Sequence, residues 1–171
     1  MKTLNFLMAV GFLGAVFAAA SAEAKGSLSA ESFVEKASVG NQFEIMTSQL
    51  ALEKSQNAEV KRFAQQMIDD HTRADDQLKT ILPNTHVDPA VASDSLDDAH
   101  QEIFDRLEAA SGSNFDREYI KEQTKAHKET VAMFGNYARH GKDTPLKHFA
   151  AQTLPTLQQH LRHVEKLKAS S

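Results

Sequence analysis

The sequence predicts an all-α fold: four long antiparallel helices, with a shorter helix in the connection between the second and third. Three observations carry this. Only 7 glycines and 4 prolines interrupt 171 residues. No run of strand-forming residues alternates polar and apolar over any length. Apolar residues instead recur every three or four positions in four long segments, each bounded by turn or cap signals.

The first helix is expected over 29–54, with Ser29 as N-cap and Ser32 and Glu35 spaced like a capping box. Its stripe is Phe33, Ala37, Gly40, Glu44, Thr47 and Ala51. The second covers 58–82 and is stopped by Pro83. Its stripe is Val60, Ala64, Met67, His71, Ala74 and Leu78, with Phe63 and Ile81 alongside. Residues 83–89 read as a loop. A shorter amphipathic helix follows, capped by Ser93 or Ser95, marked by Leu96, Ile103, Phe104 and Leu107, and ended by Ser111-Gly112-Ser113.

The third long helix is expected over 114–140, with Phe115, Tyr119, Gln123, His127, Thr130, Phe134 and Tyr137 on one face and Gly141 as its stop. The fourth covers 144–168, with Pro145 near its start and a stripe of Leu146, Phe149, Thr153, Leu157, His160, Val164 and Leu167. Pro155 lies inside it, where a kink is expected. Phe33, Phe63, Met67, Phe134, Phe149 and Leu157 are expected to share the core. Lys61-Arg62-Phe63-Ala64 echoes Lys147-His148-Phe149-Ala150, a faint repeat suited to two related hairpins.

The first 22 residues have the pattern of an export signal. Lys2 gives a basic start, Leu4 to Ala20 is apolar except for Asn5, and Ala20-Ser21-Ala22 supplies a small-x-small cleavage site. The apolar run is short of the ~20 residues needed to span a bilayer. Removing 22 of 171 residues leaves 149, taken as a flexible stretch at 23–28 and one domain at 29–168. The expected location is the periplasm or cell envelope, with no stable membrane insertion after cleavage. The chain carries 19 basic and 23 acidic residues, and no basic block suits a nucleic acid. A protein partner or a homo-oligomer is left open. There is no cysteine, so there is no disulfide or thiolate chemistry, and a metal would be held by nitrogen and oxygen.

One constellation points to chemistry. Glu44, His71, His127 and His160 each lie on the apolar stripe of a different helix. Glu44 and His71 are symmetric about position 57.5, and His127 and His160 about 143.5, both within predicted turns. Antiparallel partners related this way meet at one height, and converging polar groups are how helical bundles build metal sites. A single zinc, iron or copper ion would suit three histidines and a carboxylate. The alternative is a purely structural polar network in which the histidines and Glu44 satisfy one another. The carboxylate motif of two-iron bundles is absent, because Ile68, Thr124 and Leu157 stand three residues before the histidines. His86, His100, His140, His148 and His163 read as solvent-exposed. No phosphate loop, His-Glu-x-x-His or nucleophile elbow is present.

Several segments in order carry a resemblance: Phe33 with Gly40-Asn41-Gln42-Phe43-Glu44-Ile45; Val60-Lys61-Arg62-Phe63-Ala64 with Met67-Ile68-Asp69-Asp70-His71; Phe115-Asp116-Arg117-Glu118-Tyr119 with His127; and Phe149-Ala150 with Leu154-Pro155 and His160. Over about residues 29 to 168 the chain resembles the bacterial domain-of-unknown-function family 4142. The resemblance implies a ferritin-like four-helix bundle of the periplasm or envelope. It implies no assigned reaction. An exported, non-enzymatic protein, metal-binding or stress-related, is the leading expectation. A metal-dependent oxidoreductase using the His₃Glu set is the alternative.

Overall fold

The computed structural model describes residues 28–168, so the expected signal segment at 1–22 lies outside the described residues. Five α-helices are present: α1 (Ala30–Lys54), α2 (Ala58–Ile81), α3 (Asp98–Ala109), α4 (Gly112–His140) and α5 (Thr144–Val164). Among the described residues there is no strand, and no helix is long and apolar enough to cross a membrane.

Side chains just ahead of the helices set most of the starts. Ser29 accepts from the Ser32 amide at 3.1 Å, Asn57 from Glu59 at 2.9 Å, and Asp143 from Leu146 at 3.1 Å. Each satisfies one of the amides that a helix start leaves unpaired. The cap of α3 is Asp97, which accepts from His100 at 2.8 Å. The expected caps Ser93 and Ser95 instead bond to each other in the connection, Ser95 N–H donating to Ser93 Oγ at 3.1 Å. Asp97 wins because its carboxylate sits one residue before the helical backbone, where Ser93 and Ser95 do not reach. Only Ala110 and Ser111 separate α3 from α4, and Gly112 opens α4 with a φ of +55°, a value that suits glycine. The expected break at 111–113 is therefore shorter. The expected fourth helix also ends earlier, at Val164, with a turn beyond it. α5 runs continuously through Pro155. Short 3-10 turns at Leu82–Asn84 and Pro89–Val91 overlap the two ends of the expected loop at 83–89, the first taking in Leu82, the expected end of the second helix.

α1 packs on α2 and α4, and α5 packs on α2 and α4. Two separate apolar clusters fix the directions. One holds Phe33, Val34, Leu78, Leu82, Phe134, Tyr137, Leu146 and Phe149. It joins the start of α1, the end of α2, the end of α4 and the start of α5. The other holds Leu50, Ala51, Val60, Phe63, Met67, Leu107, Phe115, Tyr119 and Val164, from the opposite helix ends. Thus α2 and α4 run the same way, and residues 82–111 travel the length of the molecule between them. The Ser93 amide donates to Ser38 Oγ at 2.9 Å, and Lys54 Nζ donates to the Ala110 carbonyl at 3.1 Å, tying that crossing to α1.

The six expected core residues are all buried, but not together. Phe63 and Met67 lie in one cluster, and Phe33, Phe134, Phe149 and Leu157 in the other. A polar layer separates them.

Candidate metal centre

The layer is built from one stripe position on each long helix. His71 comes from α2, His127 from α4 and His160 from α5, and Glu44 from α1 sits beside His127. The four residues are 4%, 1%, 1% and 4% exposed in that order. Ring centroids are 5.8 Å apart for His71 and His127, 5.5 Å for His71 and His160, and 5.4 Å for His127 and His160. One ring nitrogen from each of the three histidines lies within 4.8 Å of the others.

Each ring has its other nitrogen held by an acceptor. His71 Nδ1 is 3.0 Å from Asn41 Oδ1. His127 Nδ1 is 2.9 Å from the Gln123 carbonyl, one turn earlier on its own helix. His160 Nε2 is 2.8 Å from Asp70 Oδ2. A carbonyl, an amide oxygen and a carboxylate can only accept, so each of these nitrogens carries the proton. The remaining nitrogens, His71 Nε2, His127 Nε2 and His160 Nδ1, have no hydrogen-bond partner among the described residues. They bear lone pairs.

The electrostatics agree with neutral rings at His71 and His160. Burial, with His127 and His160 adding to it, pushes His71 well below the ordinary histidine value. Burial pushes His160 down to about 4 despite its Asp70 partner. Burial alone would raise Asp70, but hydrogen bonds from His160 and Arg73 outweigh it and hold the carboxyl below its usual value. Burial raises Glu44, against the pull of His127.

Glu44 does not join the three-nitrogen group. Its Oε1 lies 3.6 Å from His127 Nδ1, on the protonated side of that ring, and its Oε2 has no partner among the described residues. Nearby, Gln123 Nε2 donates to Thr47 Oγ1 at 3.1 Å and Thr47 Oγ1 donates to the Phe43 carbonyl at 2.7 Å, while Ser48 Oγ and Tyr119 OH are 2.8 Å apart. Three unprotonated nitrogens on neighbouring rings offer no donor among themselves. Their outer nitrogens held by carboxylate, carbonyl and amide oxygens match how metal-ligating histidines are oriented. Three nitrogens bound to one ion at ~2.0–2.1 Å would sit about 3.3–3.5 Å apart, so the rings would close slightly on loading.

Sequence reasoning found the three histidines but not Asn41 or Asp70. Asn41 lies one turn from Glu44, a spacing readable in hindsight. Asp70 could not be read from its neighbour His71, because it serves His160 on another helix. Two expected surface histidines are half-buried. His163 meets Phe63 edge-on at 5.2 Å, and His100 meets Phe43 at 4.9 Å, because their rings complete the packing beside the layer.

The family profile described as domain of unknown function DUF4142 matches residues 15–167. The chain belongs to this family. No curated protein matches it. Among solved structures, CopM in the Cu(II)-bound form is similar, with 21% sequence identity and a TM-score of 0.68. The alignment covers 82% of this chain and 95% of CopM. At that identity the likeness is one of fold. The DUF4142 chain and CopM share a helical architecture, and the layer geometry above is this chain's own.

Proposed function

We propose that this DUF4142 protein is an exported, ferritin-like four-helix-bundle protein of the bacterial envelope that binds one transition-metal ion on His71, His127 and His160. The observation that carries the reading is three buried histidines whose rings bring a nitrogen each within 4.8 Å of the others, each ring having one nitrogen bonded to an acceptor and one without a partner among the described residues. Imidazole nitrogen suits zinc, copper, iron and nickel. CopM was solved with Cu(II), which makes copper the first ion to test here. Glu44 stands beside His127, with Oε1 3.6 Å from Nδ1.

A non-catalytic role, holding or sequestering the ion, fits a layer whose rings are almost fully covered. A metal-dependent oxidoreductase is the second reading. It is favoured by one feature: three protein nitrogens leave one position of a tetrahedral ion open, as in catalytic sites. Oxygen or redox reactivity of the loaded protein would distinguish it from storage.

The test is metal content and affinity. Protein purified from its native envelope and analysed by elemental analysis should carry one ion per chain. Titration of stripped protein with Cu(II) and Zn(II) should saturate at one equivalent, and His71→Ala, His127→Ala and His160→Ala should each abolish tight binding. Stripped wild type that binds neither ion, or alanine variants that bind as well as wild type, would overturn the reading.

A further inference from the structure

The three unpaired nitrogens lie inside the bundle, so an ion must pass the helices to reach them. This inference rests on the metal reading above and concerns how the site is loaded. Two clefts abut the polar layer. One lies between α2 and α5 and is lined by Asp70, Arg73, Gln77, Gln152 and Thr156. Its carboxylate is committed: Asp70 Oδ2 holds His160 at 2.8 Å, and Asp70 Oδ1 holds the Arg73 guanidinium at 2.7 Å. A cation approaching there meets the Arg73 guanidinium and no uncommitted carboxylate.

The other cleft, of about 310 Å³, lies between α1 and α4 where α3 crosses, and reaches inward to Glu44. Its wall presents Glu129, His100 and Met133, which offer oxygen, nitrogen and sulfur donors, with Lys36 exposed on the rim. At its floor Glu44 is 4% exposed and its Oε2 is unpartnered among the described residues, while its Oε1 faces His127. Gly40, one turn before Glu44, also lines it. Gly40 is internal to α1, does not have a positive φ, and a Cβ there would meet nothing within 4 Å. Neither backbone conformation nor close packing requires a glycine at this position. Its missing side chain leaves the cleft open directly above the carboxylate.

The geometry points to the α1/α4 cleft as the access route by which a divalent transition-metal ion reaches the histidine layer, with Glu44 as the last oxygen it meets. The ion is drawn in by Glu129, passes the gap left by Gly40, and is handed from Glu44 past the edge of His127 to the three nitrogens.

The test uses the full protein stripped of metal and mixed rapidly with Cu(II). The chain has two tyrosines and no tryptophan, so tyrosine quenching reports loading. Gly40→Leu fills the cleft from α1, and Thr130→Leu fills it from α4 should the first variant fold poorly. Thr156→Leu fills the α2/α5 cleft instead. The cleft-filling variant should slow both loading and release by about tenfold or more, with the dissociation constant and one-to-one stoichiometry unchanged. Thr156→Leu should load at the wild-type rate. Unchanged rates in Gly40→Leu and Thr130→Leu, or slowing by Thr156→Leu equal to theirs, would overturn the route while leaving the site intact. Failure of stripped wild type to bind Cu(II) at equilibrium would instead remove the metal reading itself.

Discussion

Each histidine of the layer has one nitrogen bonded to an acceptor and one without a partner among the described residues. At His71 and His160 the neutral ring is the favoured state, and it has a pH signature. An unfolded histidine takes up its proton near pH 6.5, whereas burial holds His160 near about 4 and His71 well below its usual value. Between those limits the unfolded chain binds more protons than the native one, so stability rises with pH through that window. Glu44 acts in the opposite sense. Its raised native value means that the folded state keeps a proton which the unfolded chain has released, so it loses stability as pH rises above the carboxylate range. Asp70, held low, matters only below its ordinary value near 3.8, where acid removes its contribution. Metal-free protein should therefore lose stability in urea as the pH falls from about 6.5 towards about 4, and Glu44→Gln should steepen that fall. Midpoints of Glu44→Gln that stay flat or rise on acidification would mean that His71 and His160 are already charged in the native state.

Helix ends were more legible in the sequence than the contacts between helices. Ser29, the stops at Pro83 and Gly141, and the stripe on each long helix follow from local chemistry, and the structure keeps them. Symmetry about the turns pairs Glu44 with His71 and His127 with His160, because rise per residue is the same in paired helices, and both pairs fall near the middle of their helices, where the structure brings the three histidines together. The α3 cap was misread because several polar residues precede that helix, and only backbone geometry selects Asp97 among them. Asp143 belongs to the same class of device and serves two elements. It caps α5 by accepting from Leu146 at 3.1 Å and also takes the His86 amide of the crossing segment at 3.4 Å. Asp143→Ala should cost about 1–2 kcal/mol, and should also loosen residues 82–91. Hydrogen exchange checks the second part. Protection lost at the start of α5 alone would mean that the cap does not anchor the crossing.

Across the whole molecule, the polar layer divides what would otherwise be one continuous core into two apolar clusters. Sequence stripes could not reveal that division, because Phe63 and Phe149 occupy equivalent places in their hairpins yet end up on opposite sides of it. The unpartnered atoms of the layer bear on the two readings left open by the sequence. A structural network should satisfy its members, but here Asn41 Nδ2, Glu44 Oε2, Gln123 Oε1 and one nitrogen of each histidine have no partner among the described residues. Buried polar atoms left unpaired cost about 1–3 kcal/mol each, so the metal-free layer should be a net burden on the fold. Replacing Glu44, His71, His127 and His160 with Leu and Asn41 with Val joins the clusters, while Asp70 keeps Arg73 as its partner. This variant should melt above metal-free wild type in the presence of a chelator. Wild type should then gain on adding Cu(II), by about 2.7 kcal/mol at a hundredfold excess over Kd, and the variant should gain nothing. A variant that melts below metal-free wild type would show that the layer stabilises the protein without an ion, and the structural network would be the better account of these histidines.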